Sequence, residues 1–203
     1  PCYHSTDANK VRIDGPHTLR EVRAQMAFLR SARGPAAYAQ LIGGEVSLLD
    51  PDDHAAALDA MRAEGRIPMS FSHGDFDDDY LHQVVLHPDG TPRHRSISWA
   101  LHIDSTMRGR GSVPKPTSER ELDGVRAEAI ARFQHLETEH GIKSYVAHNM
   151  TVTPSNLGEV AETVRRCGRL GFKMFSFQPA AYVGNESRWE EGFREVTDDA
   201  VWN

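Results

Sequence analysis

Short apolar runs alternate along this chain with longer stretches in which apolar residues recur every three or four positions. A short apolar run is typical of a buried strand, whereas the longer spacing is typical of an amphipathic helix. On this basis we predict strands over residues 37–42, 67–71, 97–103, 144–147 and 174–177. We predict helices over residues 16–33, 51–64, 76–86, 118–139 and 156–170.

Polar residues and glycines stand where these helices should begin and end. Asp50 is suited to an N-cap of the second helix, and Gly65 follows its end. Ser118 and Glu121 have the spacing of a capping box at the start of the fourth helix. Asn156 is placed to be the N-cap of the fifth helix.

The regular alternation of strand and helix determines the predicted fold class. Predicted strand centres lie roughly 30 residues apart, the length of a βα unit with a helical crossover. No hairpin turn of the Asn-Gly type joins neighbouring strands. The sequence therefore predicts an α/β domain over residues 1–203, with a parallel sheet covered by helices. At this point a barrel and an open doubly wound sheet both remain possible.

Composition and charge exclude several classes of protein. A formal net charge of −6 argues against a dedicated nucleic-acid binder, which would carry a basic stripe. The sequence contains no apolar run of about 18 residues and no recognisable signal-peptide pattern, so we expect neither a membrane span nor a signal peptide. The two cysteines, Cys2 and Cys167, are too few for a disulfide framework, which favours a reducing, cytoplasmic location. Because Cys167 shares a predicted helical face with apolar residues, we expect it to be a core residue.

The chain ends suggest a fragment. The sequence begins at Pro1 rather than at Met and stops at Asn203 without an obvious ending. We therefore expect both ends to be truncated.

Residues with chemically active side chains cluster where each predicted strand ends. In parallel α/β folds the carboxyl ends of the strands share one edge, so we expect these residues to converge there. They are Gly43, Gly44 and Glu45 after the first strand; Ser72, His73 and Asp75 after the second; His102 and Asp104 at the end of the third; His148 and Asn149 after the fourth; and Gln178 after the fifth.

Gly43-Gly44-Glu45, directly after an apolar strand, resembles the Gly-Gly-Glu motif of radical S-adenosylmethionine (SAM) enzymes. The resemblance implies a partial (β/α)6 TIM-type barrel whose first strand and C-terminal part lie outside this chain. It also implies that this segment meets the amino group of the SAM methionine moiety, with Glu45 as an acceptor. Glycines suit the task because backbone without a side chain can approach a ligand closely.

Cys2 carries the second part of the resemblance. Pro1-Cys2-Tyr3-His4 looks like the end of the C-x3-C-x2-C loop of that family, with Cys2 as the third ligand of a [4Fe–4S] cluster. The other two cysteines would lie upstream of Pro1. On this resemblance, the fragment alone is expected to be inactive.

Three later segments resemble the peptide- and cofactor-modifying (SPASM) branch of the family. Residues 98–111 resemble a strand ending in Ser-x-Asp followed by an Arg-Gly pair, with His102 at the Ser position, Asp104 at the Asp position and Arg108 as the arginine. Residues 144–160 resemble the following strand and imply that Asn149 contacts SAM. Residues 175–184 resemble the strand and exit loop near the adenosine.

The resemblance implies an activity as well as a fold. A reduced [4Fe–4S] cluster would cleave SAM to methionine and a 5′-deoxyadenosyl radical, which removes hydrogen from a substrate. It implies an electron donor such as flavodoxin or ferredoxin, and a small-molecule, lipid or peptide substrate. We expect the substrate side to include His73, Asp75, His148 and Tyr182. Auxiliary clusters are often added in a C-terminal extension that this chain lacks.

Two other functions remain open. In a metal-dependent hydrolase on a TIM barrel, zinc or a similar ion would be bound by His and Asp at the strand ends. Its ligands would be His73, Asp75, His102, Asp104 and His148. That function leaves Cys2 and Gly43-Gly44-Glu45 unexplained. The other alternative is a non-catalytic binding module, since fold alone does not imply activity.

Overall fold

A single sheet runs through the computed structural model, which describes residues 13–35, 38–42, 44–107, 112–180 and 196–202 of the 203-residue chain. The sheet has five strands, hydrogen-bonded in the order β1-β2-β3-β4-β5 and all parallel. The strands are β1 (Tyr38–Leu41), β2 (Ile67–Ser72), β3 (Ser96–His102), β4 (Lys143–Val152) and β5 (Met174–Pro179). The predicted α/β class with a parallel sheet is confirmed.

Helices separate consecutive strands, as predicted. Within the described ranges they are α1 (Gly15–Arg33), α2 (Pro51–Ala63), α3 (Asp78–Val85), α4 (Asp123–His140), α5 (Val160–Leu170) and α6 (Asp198–Trp202). Short 3₁₀ turns cover Val46–Leu48, Glu119–Leu122 and Leu157–Glu159.

The N-termini of these helices confirm one predicted cap and correct two. The Asp50 carboxylate accepts a hydrogen bond from Asp52 N, so it caps α2 as expected. Ser118 makes no side-chain cap bond, and the Glu121 carboxylate accepts instead from the Thr117 backbone and hydroxyl. The predicted capping box is therefore wrong. The side chain of Asn156 does not cap a helix either, because it is engaged with other elements described below.

The last two strands extend beyond their predicted ends. The prediction ended β4 at residue 147 and β5 at residue 177, but their pairing continues to Val152 and Pro179. The β-branched Thr151 and Val152 favour this continuation. His148, Asn149 and Gln178 therefore lie within strands, and Ser72 is the last residue of β2, so the expectation that these four residues follow strand ends is wrong.

The chain divides into two compact units, and within the described residues the boundaries between them fall inside β3, α4 and β4. We call the described residues up to Ala100, together with Arg132–Tyr145, the N-terminal unit. The C-terminal unit comprises Leu101–Ala131 and the described residues from Val146 onward. Each of the two candidate clusters described below lies within one unit.

Each unit has its own apolar core. In the N-terminal unit the fully buried Trp99 packs against Phe76 and His54, at ring-centroid distances of 4.9 and 5.3 Å. In the C-terminal unit Met150 and Val152 of β4 pack with Val160 of α5. Cys167 of α5 is also fully buried, as predicted, and burial raises the pKa of its thiol to about 11.

None of the described helices combines the length and the apolar character that crossing a bilayer requires.

Candidate functional site

The exit of β1 carries an open backbone position at Gly44. Its φ is 83°, a left-handed conformation that disfavours residues with a Cβ. No described atom lies within 4 Å of the position that a Cβ would take there. Among the described residues, apart from the chain neighbours of Gly44, nothing therefore blocks a ligand from the backbone at this point. Gly43 lies outside the described residues.

Glu45 connects the exits of β1 and β2 through its carboxylate. Its Oε1 accepts hydrogen bonds from Ser47 N at 3.0 Å, Ser47 Oγ at 2.8 Å and Ser72 Oγ at 2.6 Å. Its Oε2 accepts from His73 N at 2.6 Å. We call Glu45, Ser47, Ser72 and His73 the Glu45 cluster; the sequence predicted Glu45 as a ligand contact but did not predict this anchoring role.

The Glu45 cluster holds an ionised carboxylate near the surface. Burial by itself raises the pKa of Glu45, but hydrogen bonds from Ser72, His73 and Ser47 outweigh it and leave the pKa below its usual value. The side chain is 12% exposed, and His73 Nδ1 lies 3.4 Å from Oε2. The ionised carboxylate would attract a cationic ligand group.

Asp104 lies just past β3 and is fully buried. Its Oδ1 accepts from Thr106 N at 2.9 Å and Thr106 Oγ1 at 2.6 Å. Its Oδ2 accepts from His102 Nε2 at 2.5 Å and Thr151 N at 2.6 Å. We call Asp104, His102, Thr106 and Thr151 the Asp104 cluster.

These hydrogen bonds define what Asp104 does in the C-terminal unit. Burial alone raises its pKa, but the contact with His102 and the bonds from Thr106 and Thr151 lower the pKa to about 2. Because the carboxylate is inaccessible, it positions the ring of His102 rather than meeting a ligand itself. The His102 side chain is 28% exposed and is the more accessible member of the pair.

One face of β4 and β5 is lined by uncharged polar side chains. Asn149 pairs in register with Ser176, and Thr151 pairs with Gln178. Register partners on parallel strands share a face, and every second residue of a strand lies on the same face. Met150 and Val152 occupy the opposite, apolar face.

Asn149 is the buried member of this polar face. It is 4% exposed, and its Oδ1 is buried without a hydrogen-bond partner among the described residues. A buried polar atom without a partner costs about 1–3 kcal/mol, so a donor from a ligand would be favoured at this position. Among the predicted site residues that the structure describes, Asn149 Oδ1 and His148 Nδ1 are both buried without a hydrogen-bond partner.

A buried ion pair supports the loop that follows β3. Arg126 of α4 and Glu119 are both fully buried, and their side chains are hydrogen-bonded. Arg126 also donates to the backbone oxygen of Ile103 at 2.8 Å. Glu119 Oε1 accepts from Ser105 N at 2.9 Å and from Asn156 Nδ2 at 2.9 Å. The pair thus holds the backbone on both sides of Asp104.

The sequence contained a signal for this pair that our prediction did not use. Arg126 occupies the buried stripe of α4 together with Ala129, Ile130 and Phe133. A charged residue at such a position is rarely buried unless it is paired. The stripe therefore indicated a buried partner for Arg126, although nothing in it indicated Glu119.

His148 lies on the face of β4 opposite Asn149 and is fully buried. Its Nε2 lies 3.1 Å from Arg126 Nε and 3.0 Å from the Ile103 oxygen, and its ring packs edge-on against Phe172. Burial and the charge of Arg126 lower its pKa to about 3. The prediction that His148 faces a substrate does not fit this core position.

The remaining predicted site residues divide into two groups. His73 and Asp75 are exposed in the N-terminal unit. Cys2, Arg108 and Tyr182, with the segments around them, lie outside the described residues.

Among the described residues, no three or more His, Cys, Asp or Glu side chains form a group arranged to hold a metal ion. Of the five ligands predicted for a hydrolase, His102 and Asp104 are in direct contact. His148 directs its Nε2 toward Arg126 and the Ile103 oxygen.

Comparison with known proteins adds no assignment. No protein-family model matches the chain, and no curated protein matches it.

Proposed function

We propose that this chain belongs to an enzyme that binds SAM and uses it for radical chemistry. The observation that carries the proposal is the Gly44–Glu45 turn: an open backbone position directly followed by an ionised carboxylate. An α-amino acid ammonium group suits this pair, because the accessible backbone permits close approach and the carboxylate stabilises the positive charge. SAM carries such a group on its methionine moiety.

The C-terminal unit supports the proposal independently. The buried Oδ1 of Asn149 lacks a donor among the described residues, and Thr151, Ser176 and Gln178 share its face. A polar strand face of this kind suits hydroxyl and amino groups, which SAM carries on its ribose and adenine. In this proposal Asn149 contacts SAM directly, and Asp104 acts through His102.

The strand order favours a barrel over a doubly wound sheet. A doubly wound sheet reverses its strand order at a switch point, whereas consecutive βα units of a barrel follow one another in sequence. The observed order β1-β2-β3-β4-β5 contains no reversal. We therefore propose that the sheet is part of a partial (β/α)6 TIM-type barrel.

The iron–sulfur cluster of the proposal would be bound in part by Cys2, which lies outside the described residues. When bound, a reduced [4Fe–4S] cluster supplies the electron that cleaves SAM. The described residues would bind and orient SAM and exclude water from it. An electron donor such as flavodoxin or ferredoxin, a separate substrate and a cytoplasmic location belong to the same proposal.

The first experiment tests whether Glu45 recognises the amino group. Equilibrium dialysis of the chain with radiolabelled SAM is compared with 5′-deoxy-5′-methylthioadenosine, which lacks the amino acid moiety. Loss of one charge-assisted contact predicts that Glu45→Gln binds SAM about tenfold more weakly. Binding of methylthioadenosine should change little. The exposed Glu137→Gln serves as the matched control. Equal losses for the two ligands would show that the substitution disrupts the site without removing a specific contact.

The second experiment tests the chemistry in the complete protein. After anaerobic reconstitution with iron and sulfide, dithionite and SAM should yield 5′-deoxyadenosine, measured by mass spectrometry. Yield no greater than that of a Cys2→Ala variant would contradict the proposal. A colourless protein containing zinc would favour the hydrolase, whereas a brown protein containing iron and sulfide would favour the radical enzyme.

A further inference from the structure

A buried chain of hydrogen bonds connects α2, β2 and α3 to the turn that contains Glu45. His54 of α2 is fully buried between two hydroxyl groups. Its Nδ1 lies 2.9 Å from Tyr80 Oη, and its Nε2 lies 2.9 Å from Ser70 Oγ. Tyr80 Oη donates to the backbone oxygen of Val46 at 3.0 Å. Val46 directly follows Glu45 in the chain.

The hydrogen bonds that link Ser70, His54, Tyr80 and Val46 run in one consistent direction from donor to acceptor. The Tyr80 hydroxyl has a single proton, which it donates to Val46, so it must accept from His54 Nδ1. Burial lowers the pKa of His54 to about 4, so its imidazole is neutral with the proton on Nδ1, and Nε2 accepts from Ser70 Oγ. Each side-chain polar atom of this hydrogen-bond chain therefore has a partner. Tyr80 Oη is held from two sides, by His54 and by the Val46 oxygen.

The electrostatics keep this arrangement intact near neutral pH. Burial lowers the pKa of His54 to about 4, against the opposing effect of Glu45. Burial, together with the charges of Glu45 and Asp50, raises the pKa of Tyr80 above its usual value. Both groups consequently stay neutral over the physiological range.

We propose that Tyr80 and His54 are positioning residues that hold the Gly44–Glu45 turn in its ligand-binding conformation. The inference rests on the proposed binding of SAM at this turn. Tyr80 reaches the turn through the Val46 oxygen, whereas Ser47 and Ser72 reach it through the Glu45 carboxylate. The turn is thus restrained through both backbone and side chain, and Tyr80 fixes its backbone.

The test is Tyr80→Phe, which removes one oxygen atom and preserves the packing of the ring. Tyr145→Phe, at a tyrosine 42% exposed, is the matched control. Two properties of the full chain are measured: amide hydrogen exchange of peptides covering residues 44–49, and the Kd of SAM. Loss of one hydrogen bond predicts that exchange in the turn becomes about tenfold faster, and that SAM binds about tenfold more weakly. The control should change neither property.

The outcomes separate this inference from the proposed function. Unchanged exchange in Tyr80→Phe would overturn the inference, and so would faster exchange with an unaltered Kd. Should neither the wild-type chain nor the complete protein with its reconstituted cluster bind SAM, the proposed function fails, and hydrogen exchange alone decides whether Tyr80 orders the turn. Ser70→Ala lies one step further from the turn and should give a smaller effect of the same sign. If Ser70→Ala changed hydrogen exchange in the turn more than Tyr80→Phe does, the proposed order of the hydrogen-bond chain, from Ser70 through His54 and Tyr80 to Val46, would be wrong.

Discussion

Asn156 Nδ2 donates to Glu119 Oε1 across 2.9 Å, joining two residues that are 37 positions apart in the sequence. The same amide nitrogen also lies 3.0 Å from the Thr151 oxygen. Asn156 Oδ1 accepts from Thr153 N at 2.8 Å. Asn156 thereby connects the segment that follows β4 to the Arg126–Glu119 ion pair, which holds the backbone on both sides of Asp104.

Removing this amide should destabilise the protein. Asn156→Ala leaves the Thr153 N–H and one lone pair of Glu119 without their partner, so we expect the free energy of unfolding in urea to fall by about 2–3 kcal/mol. Ser155→Ala is the neighbouring control, because Ser155 is exposed and its hydroxyl bonds only to Thr153 among the described residues. Equal stability of the two variants would show that the amide contributes nothing.

Glu119→Gln should be more damaging than the loss of Asn156. The substitution removes the fully buried partner of the Arg126 guanidinium and leaves the partly exposed Asp123, 3.3 Å away, as its remaining ion-pair partner. Breaking a buried ion pair costs about 3–5 kcal/mol. Glu121→Gln is the matched control two residues away, at an exposed glutamate that bonds to Thr117. Urea denaturation should place the midpoint of Glu119→Gln far below wild type and leave that of Glu121→Gln close to it. If the two glutamines behave alike, the buried pair is not a stabilising element.

The positions of these network residues explain how much the sequence could predict. Apolar periodicity identified these strands and helices because the spacing that places apolar residues on one face is a local property of the sequence. It placed Asn156 at a helix start, where an asparagine is usually a cap, but the side chain turned out to bond across the fold. Local patterns do not encode a contact between residues 119 and 156, so the support behind Asp104 had to come from the structure.

In the candidate site, too, the sequence indicated which residues matter but not the long-range contacts that they make. The family resemblance predicted ligand contacts at Glu45 and Asn149, and the structure shows a hydrogen-bonded carboxylate at the first and an unpartnered buried oxygen, among the described residues, at the second. Asp104 was identified too, but its complete burial could not be read from its neighbours in the sequence. Its burial depends on Thr151, which lies 47 residues away and donates to its carboxylate.

Acid should destabilise the fold through two buried histidines. The pKa of His54 is lowered to about 4 and that of His148 to about 3, both chiefly by burial. A histidine with a lowered folded-state pKa binds its proton more readily when unfolded, so its stabilising effect is present above about pH 6.5 and is lost as the pH falls. We expect a loss on the order of 2 kcal/mol per histidine between pH 7.5 and pH 5.

Urea denaturation at a series of pH values measures this loss. His148→Gln removes one of the two titrating groups and should flatten the pH dependence by about half. His135→Gln, at an exposed histidine, should leave the slope unchanged. A wild-type stability that stays constant from pH 7.5 to pH 5 would contradict the assignment of neutral, buried imidazoles.

Asn149 and Asn156 form a pair of buried asparagines with opposite expected behaviour on replacement by leucine. Asn156 has its hydrogen bonds satisfied, whereas Asn149 Oδ1 has no partner among the described residues. Replacing a buried polar group that lacks a partner by an apolar group of similar size is nearly neutral or stabilising. Asn149→Leu should therefore change the unfolding free energy by less than about 1 kcal/mol, whereas Asn156→Leu should lower it by about 3 kcal/mol.

Asn149→Leu should affect the binding of SAM even though it changes the stability of the fold little. If a donor group of SAM forms a hydrogen bond with Asn149 Oδ1, Asn149→Leu should retain its fold and bind SAM about tenfold more weakly than wild type. Thermal denaturation and equilibrium dialysis on the same preparation measure both quantities. A variant with wild-type affinity would remove Asn149 from the proposed site. A variant as unstable as Asn156→Leu would show that the unpartnered oxygen has a structural role instead.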